Sequence, residues 1–241
     1  MASPATVPTE APVSIEDAFN TLIHKREPLC AELQPYFYPS SGAKGDFPVV
    51  KHPLLFSVPH SDSMNAFLNK QIEVRKEQAR AHLASGAYES YVWMHERPFR
   101  LEAFLEVYRK LSDSKYWKTL AHLWTDSENI YQNFEAWVAM LNAPRPSRES
   151  MMEKDDREAL AAMPKVIRVY RGCYGYNRHG LSWTIDKNRA RWFSRRFAPV
   201  RRSKPLVLVG DVPKSKVIAY LSNRGESEII ADPRHVTLLP S

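Results

Sequence analysis

Residues 164–184 read PKVIRVYRGCYGYNRHGLSWT, and within them the texture of the chain changes. Before Pro164 apolar residues recur at helical spacing. From here they come in short runs of β-branched and aromatic residues. VIRVYRG (166–172) and LSWTI (181–185) are the first two, followed by PLVLVGDV (205–212), KVIAYL (216–221), SEIIA (227–231) and HVTLL (235–239). Between the second and third lies a basic amphipathic stretch, expected to be helical over 186–197. Asp186 is its N-cap, and Ala190, Phe193 and Phe197 form its apolar side. Short strands around one embedded helix predict an α+β domain built on a mostly antiparallel sheet. The runs are too short, and the helices too few, for a doubly wound fold.

Upstream, residues 63–141 are expected to be a helical subdomain. Ser63 is read as the N-cap of MNAFLNKQIEVRKEQARAHLA, whose loose apolar face is Phe67, Ile72, Val74, Ala79 and Leu83. Leu101, Phe104, Leu105, Tyr108 and Leu111 repeat at helical spacing, as do Trp117, Leu120, Leu123 and Trp124. Asp126 is read as capping a helix carrying Ile130, Phe134, Trp137, Val138 and Leu141. These aromatics are expected in the core. A linker at 143–150 precedes a short acidic helix around Lys154–Ala162. Residues 1–60 are rich in Pro, Ser and Ala and read as a partly disordered arm, with one helical candidate at Ile15–Ile23. The expected organisation is therefore an arm (1–60), a helical subdomain (61–163) and a sheet domain (164–241).

The 241 residues, 44% hydrophobic and 25% charged, have an ordinary globular composition, with no run long enough to span a bilayer. The opening MASPATVPTEAPVSIEDAF lacks a basic and an apolar signal region, so a cytoplasmic setting is expected. Two cysteines, Cys30 and Cys173, supply neither a zinc cluster nor a disulfide framework. The net charge of +7 is unevenly spread. Residues 164–241 hold 16 Lys and Arg against 5 Asp and Glu, a local net of +11, while the rest carries −4. Residues 187–204 hold 8 basic residues and no acid. That patch reads as a solvated helix face, as an attractor of an anionic ligand, or as a nucleic-acid surface.

Several chemistries are unsupported. There is no phosphate-binding glycine loop, no H-E-x-x-H and no G-x-S-x-G, and the eight histidines show no metal-ligand spacing. Three motifs remain, in order. Tyr170-Arg171-Gly172 ends a strand, Ser182-Trp183-Thr184 sits in the next, and Gly225-Glu226-Ser227-Glu228 opens a later one. In a strand, residues i and i+2 share a face, so Ser182 pairs with Thr184, and Glu226 with Glu228. Two carboxylates so close raise one another's cost of ionisation, a pairing with little use in an ordinary strand.

In this order the motifs resemble the arginine–serine–glutamate class of mono-ADP-ribosyltransferases, the group of the cholera-like and clostridial binary-toxin enzymes and their phage relatives. The resemblance covers residues 164–241, roughly a third of the chain. It implies an ADP-ribosyltransferase-like core with NAD as co-substrate and no metal. By it, Arg171 binds the NAD pyrophosphate, the Gly172 backbone approaches the nicotinamide amide, and Ser182 steadies the catalytic glutamate with support from Thr184. Trp183, on the opposite face, is expected in the core. Glu228 binds the nicotinamide ribose and stabilises the oxocarbenium-like state, as an exposed cleft carboxylate. Glu226 orients and deprotonates the acceptor, while Tyr220 and Arg224 lie near the acceptor loop. Two features depart from the family. Tryptophan fills the middle of Ser-x-Thr, and the stretch between Arg171 and Ser182 is short for a loop covering NAD.

No toxin translocation domain is recognised in residues 1–163, which points to an intracellular, phage-encoded or injected enzyme. The expected acceptor is a macromolecule, protein arginine ahead of nucleic acid, with no membrane partner. A catalytically inactive module of the same fold is the third reading. Whether a regulatory or inhibitory partner acts on it is not legible.

Overall fold

Prolines punctuate the chain after residue 26, so the first strands are only two residues long. β1 (Phe37–Tyr38), β2 (Val49–Val50) and β3 (Val58–Pro59) pair antiparallel in that order. Pro59, with no amide hydrogen to donate, sits on an edge strand, where it costs no ladder bond. This computed structural model describes residues 26–128, 130–196, 204–222 and 225–240. The helical candidate Ile15–Ile23, Phe197 and Arg224 lie outside the described residues. Two compact units divide the chain, Met1–Leu105 and Glu106–Ser241, so the division falls inside the stretch expected as one helical subdomain.

In the first unit α1 (Asn65–Ala84) buries Ala66, Leu68, Ile72 and Ala79. That stripe differs from the expected face, since Val74 is exposed. Ser63 does not cap the helix but lies within a 3₁₀ turn over Asp62–Met64 that leads into it. α2 (Tyr88–Trp93) follows, and the division between the units falls within α3 (Arg100–Val107).

The first whole helix of the second unit is α4 (Asp113–Asp126), which buries Tyr116, Trp117, Leu120, Leu123 and Trp124. Asp126 is the last residue of that helix, not the cap of the next. The following segment makes a 3₁₀ turn (Ile130–Asn133) before α5 (Phe134–Leu141). Trp124 and Trp137 meet edge to face, 5.2 Å between centroids, which makes these aromatics core as expected. α6 (Lys154–Ala162) occupies the expected acidic segment.

Six antiparallel strands complete the unit: β4 (Val166–Cys173), β5 (Ser182–Thr184), β6 (Leu206–Pro213), β7 (Val217–Leu221), β8 (Glu228–Ala231) and β9 (Thr237–Leu238). Their order in the sheet is β7-β8-β5-β4-β6-β9. The protein is thus α+β, with seven helices among the described residues and antiparallel sheets. Alternation along the strands separates two faces. Ile167, Val169, Trp183, Tyr220 and Ile229 form one apolar cluster, against which Ala159 and Leu160 of α6 pack. The opposite face receives α7 (Lys187–Arg195), capped by the Asp186 side chain accepting from the Asn188 amide at 2.7 Å. Among the described residues, no helix is long and apolar enough to cross a membrane.

Candidate active site

Register brings the three sequence motifs together. Tyr170 of β4 stands opposite Thr184 of β5, and Thr184 stands opposite Glu228 of β8. Directly opposed residues in an antiparallel pair point to the same side. The next row, Trp183–Ile229–Tyr220, points the other way and is wholly buried. A narrow cavity of about 100 Å³ results, lined by Tyr170, Arg171, Gly172, Ser182, Trp183, Thr184, Phe193, Glu226 and Glu228.

Inside it, the Ser182 hydroxyl donates to Oε1 of Glu228. Glu228 is 9% exposed, so it is a buried carboxylate and not the exposed cleft group that was expected. A buried carboxylate costs several kcal/mol unless it is hydrogen-bonded or paired. Ser182 meets part of that need, and the Glu228 charge is felt by the Arg171 guanidinium.

Arg171 is fixed by backbone. Its Nη1 donates to the Ser182 carbonyl at 2.6 Å and its Nη2 to the Asn177 carbonyl at 2.9 Å, while the buried Nε has no partner. Burial holds this guanidinium below the usual arginine range, opposed by the Cys173 thiol and the Glu228 carboxylate. Each Nη keeps a second N–H and Nε its own, so the expected two-bond grip on a pyrophosphate does not require either carbonyl bond to be given up. Gly180 makes room for the side chain: a Cβ there would lie 2.0 Å from Nη2.

Thr184 is 5% exposed, and its hydroxyl serves the backbone. It donates to the Glu226 carbonyl at 2.7 Å and accepts from the Asp186 amide at 3.0 Å. Gly172 has a packing role as well. A Cβ would lie 2.0 Å from the Ala190 carbonyl oxygen, so the glycine admits α7 onto β4.

The two glutamates do not share a strand. β8 begins at Glu228, and Ser227 before it takes φ 45, in the left-handed region. Glu226 therefore lies in the loop, half-buried, and lines the same cavity. Tyr220, expected near the acceptor, is 7% exposed and packs in the apolar cluster with Trp183 and Ile229, so it offers an acceptor no surface. The second expected acceptor residue, Arg224, lies outside the described residues. Trp183 is core, with its indole Nε1 donating to the Gly180 carbonyl at 3.1 Å.

No family model matches the chain, and neither does any curated protein or solved structure.

Several residues of the site carry no sequence signal. Asn177 acts through its carbonyl, which any residue has. Arg189 is one of five basic residues on or beside α7, yet it alone donates to the Gly225 carbonyl, at 2.8 Å. Phe193 was expected on the apolar side of α7, and that side includes the cavity wall. Lys187 stands 6.0 Å above the Tyr170 ring, a basic group beside a cavity residue. Among the described residues no group of three His, Cys, Asp or Glu is placed to hold a metal.

Proposed function

We propose that the protein is an NAD-dependent mono-ADP-ribosyltransferase. The observation that carries this reading is the hydrogen bond from Ser182 to a buried Glu228, in one cavity with Arg171 and Glu226. Three motifs up to 57 residues apart in the chain have no structural need to meet around two carboxylates. Trp183 and Ile229 already provide the packing for these strands.

The chemistry follows from the residue types. The bond between the nicotinamide nitrogen and ribose C1′ breaks, and its electron pair leaves with nicotinamide. Positive charge develops on the ribose, and a fixed carboxylate at Glu228 stabilises it there. Ser182 keeps that carboxylate oriented before the charge forms, so no reorganisation is needed at the moment of reaction. Arg171 offsets part of the cost of burying the negative charge. An acceptor nitrogen then forms the new bond to C1′ and gives its proton to Glu226. A guanidine is the acceptor we favour, since its proton is hard to remove and a carboxylate base is close. Ligand pockets usually measure about 300–1,000 Å³, so this cavity suits only the nicotinamide-ribose end of NAD. The pyrophosphate and adenosine would lie at its mouth, beside the basic face of α7.

That face favours a second reading, in which the acceptor is nucleic acid. Trp192 is 49% exposed between Arg189 and Arg196, each 5.5 Å from its ring, and Arg191 and Arg195 are exposed on the same helix. Cations interleaved with an aromatic suit a phosphate backbone with unstacked bases. Incubation with labelled NAD and cell extract, followed by protease or nuclease, separates the two acceptors. Protease-sensitive label supports the protein reading; nuclease-sensitive label supports the second. Absence of both label and nicotinamide release would leave the inactive module.

A further inference from the structure

Glu226 sits between two residues with left-handed backbone, Gly225 at φ 62 and Ser227 at φ 45. No strand ladder holds this piece of chain, so its shape must come from elsewhere. Three consecutive carbonyls supply the answer. The Gly225 carbonyl accepts from Arg189 Nη2 at 2.8 Å, that of Glu226 from Thr184 Oγ1 at 2.7 Å, and that of Ser227 from the Ile185 amide at 3.2 Å. All three donors belong to one short segment, Thr184–Arg189, at the junction of β5 and α7. The junction is itself braced, because Asp186 caps α7 and donates its amide to the Thr184 hydroxyl. Ahead of the loop, the Ser222 amide donates to Oδ1 of Asp156, a buried residue of α6, at 3.0 Å.

We propose that Arg189 is a positioning residue for Glu226, and that the Thr184–Arg189 clamp sets whether ADP-ribose passes to an acceptor or to water. The proposal rests on the transferase reading above. Capture of an oxocarbenium-like ribose is a competition between a bound acceptor and water. The acceptor wins only if the base that takes its proton is held within hydrogen-bond reach. Thr184 ends β5 and Ile185 follows it directly, so two of the three bonds come from the end of the sheet. The third is supplied by a long side chain. Its guanidinium is planar, lies 5.5 Å from the Trp192 ring, and makes a charge-assisted bond to the carbonyl before Glu226. Loss of that bond frees the backbone on the loop side of Glu226 while leaving Ser182, Glu228 and Arg171 untouched.

The test uses the full chain with Arg189→Ala, Arg189→Lys and Lys154→Ala. The last removes an exposed cation of α6, 3.7 Å from the Glu158 carboxylate and outside the cavity lining. Nicotinamide release from NAD and transfer to agmatine, a small guanidine, are measured together. Arg189→Ala is expected to lower the ratio of transfer to hydrolysis about tenfold, the size of one lost hydrogen bond to a charged group. Arg189→Lys should recover part of the ratio, and Lys154→Ala should keep it. Amide hydrogen exchange across residues 222–228 reads the clamp without NAD and should accelerate in Arg189→Ala only. Unchanged exchange would overturn the clamp, whatever the enzyme does. Faster exchange with an unchanged ratio would overturn the positioning role, as would an equal fall in Lys154→Ala. If the wild type releases no nicotinamide, the transferase reading fails and the positioning role with it, while the exchange result still decides the clamp.

Discussion

Gly180 packs directly against the Arg171 guanidinium: a Cβ on the glycine would lie 2.0 Å from Nη2. The neighbour is the end of a long side chain and can move. At Gly172 the overlapping atoms are backbone, the Ala190 carbonyl and the Ser194 amide, and cannot. Gly172→Ala is therefore expected to destabilise the second unit by about 3 kcal/mol, the upper range for overpacking. Gly180→Ala should cost less, about 1–2 kcal/mol, because only a side chain and its two carbonyl bonds must shift, while displacing Arg171 and lowering nicotinamide release at least tenfold. Thermal unfolding and NAD turnover on both variants check the contrast. Equal losses of stability would refute it.

Glu228→Gln keeps the shape of the side chain and its reach to Ser182 but removes the charge. Nicotinamide release should fall by about 10²–10³, the effect of losing one preorganised electrostatic contact. The folded state should lose little, because a buried carboxylate carries a desolvation cost that the amide avoids. Ser182→Ala leaves the charge and removes its anchor, so a smaller loss, about tenfold, is expected. Single-turnover nicotinamide release distinguishes the two, and a Glu228→Gln variant as active as wild type would remove the proposed role.

Glu226→Ala should separate two activities. Transfer to agmatine is lost, while slow hydrolysis of NAD persists because neutral water already has a lone pair to attack C1′, whereas a guanidinium must give up a proton first. Both are measured on one sample by product mass. Simultaneous loss would mean that Glu226 acts on NAD and not on the acceptor.

Tyr220→Phe is expected to leave transfer unchanged, since the ring is packed against Trp183 and Ile229 and faces away from the cavity row. A selective loss of transfer would return this residue to the acceptor site.

The first unit has its own pH signature. His52 is buried, and its Nδ1 accepts from the Leu54 amide at 3.1 Å, a bond that only the neutral ring can make. Burial holds its pKa below the usual histidine value, with Glu32 opposing and Lys76 and His95 reinforcing. The unfolded chain therefore takes up this proton before the folded one. Stability should be full above about pH 6.5 and fall as the pH drops through the unfolded histidine value toward the folded one. Urea midpoints at pH 7.5 and 5.5 measure the slope. His52→Gln should flatten it, even if it lowers stability at both values.

The sheet was legible from its short runs of β-branched and aromatic residues, and on β4 from the alternation that buries Ile167 and Val169 in one cluster with Trp183, Ile229 and Tyr220. The cavity was legible in side-chain types: Arg171, Ser182, Glu226 and Glu228, singled out by the three motifs, all line it. What could not be read was work done by backbone. The Asn177 and Gly225 carbonyls, the left-handed Ser227 and the α7 backbone against Gly172 depend on tertiary geometry and leave no trace in residue type. Tyr220 was misread for the same reason. A tyrosine on a strand beside a loop has the composition of a binding residue, and only the register shows that it faces the core. The helix boundaries at Ser63 and Asp126 moved because 3₁₀ turns precede both helices, and capping signals do not distinguish the two kinds of turn.

β5 is three residues long, and no two of them do the same work. Ser182 anchors a carboxylate, Trp183 fills the core and ties itself to Gly180, and Thr184 joins the loop of Glu226 to the start of α7. A strand this short has no redundancy. A saturation library should show 182–184 as an island intolerant of nearly every replacement. It should end abruptly at Ile185, whose exposed side chain contributes nothing that its backbone amide does not.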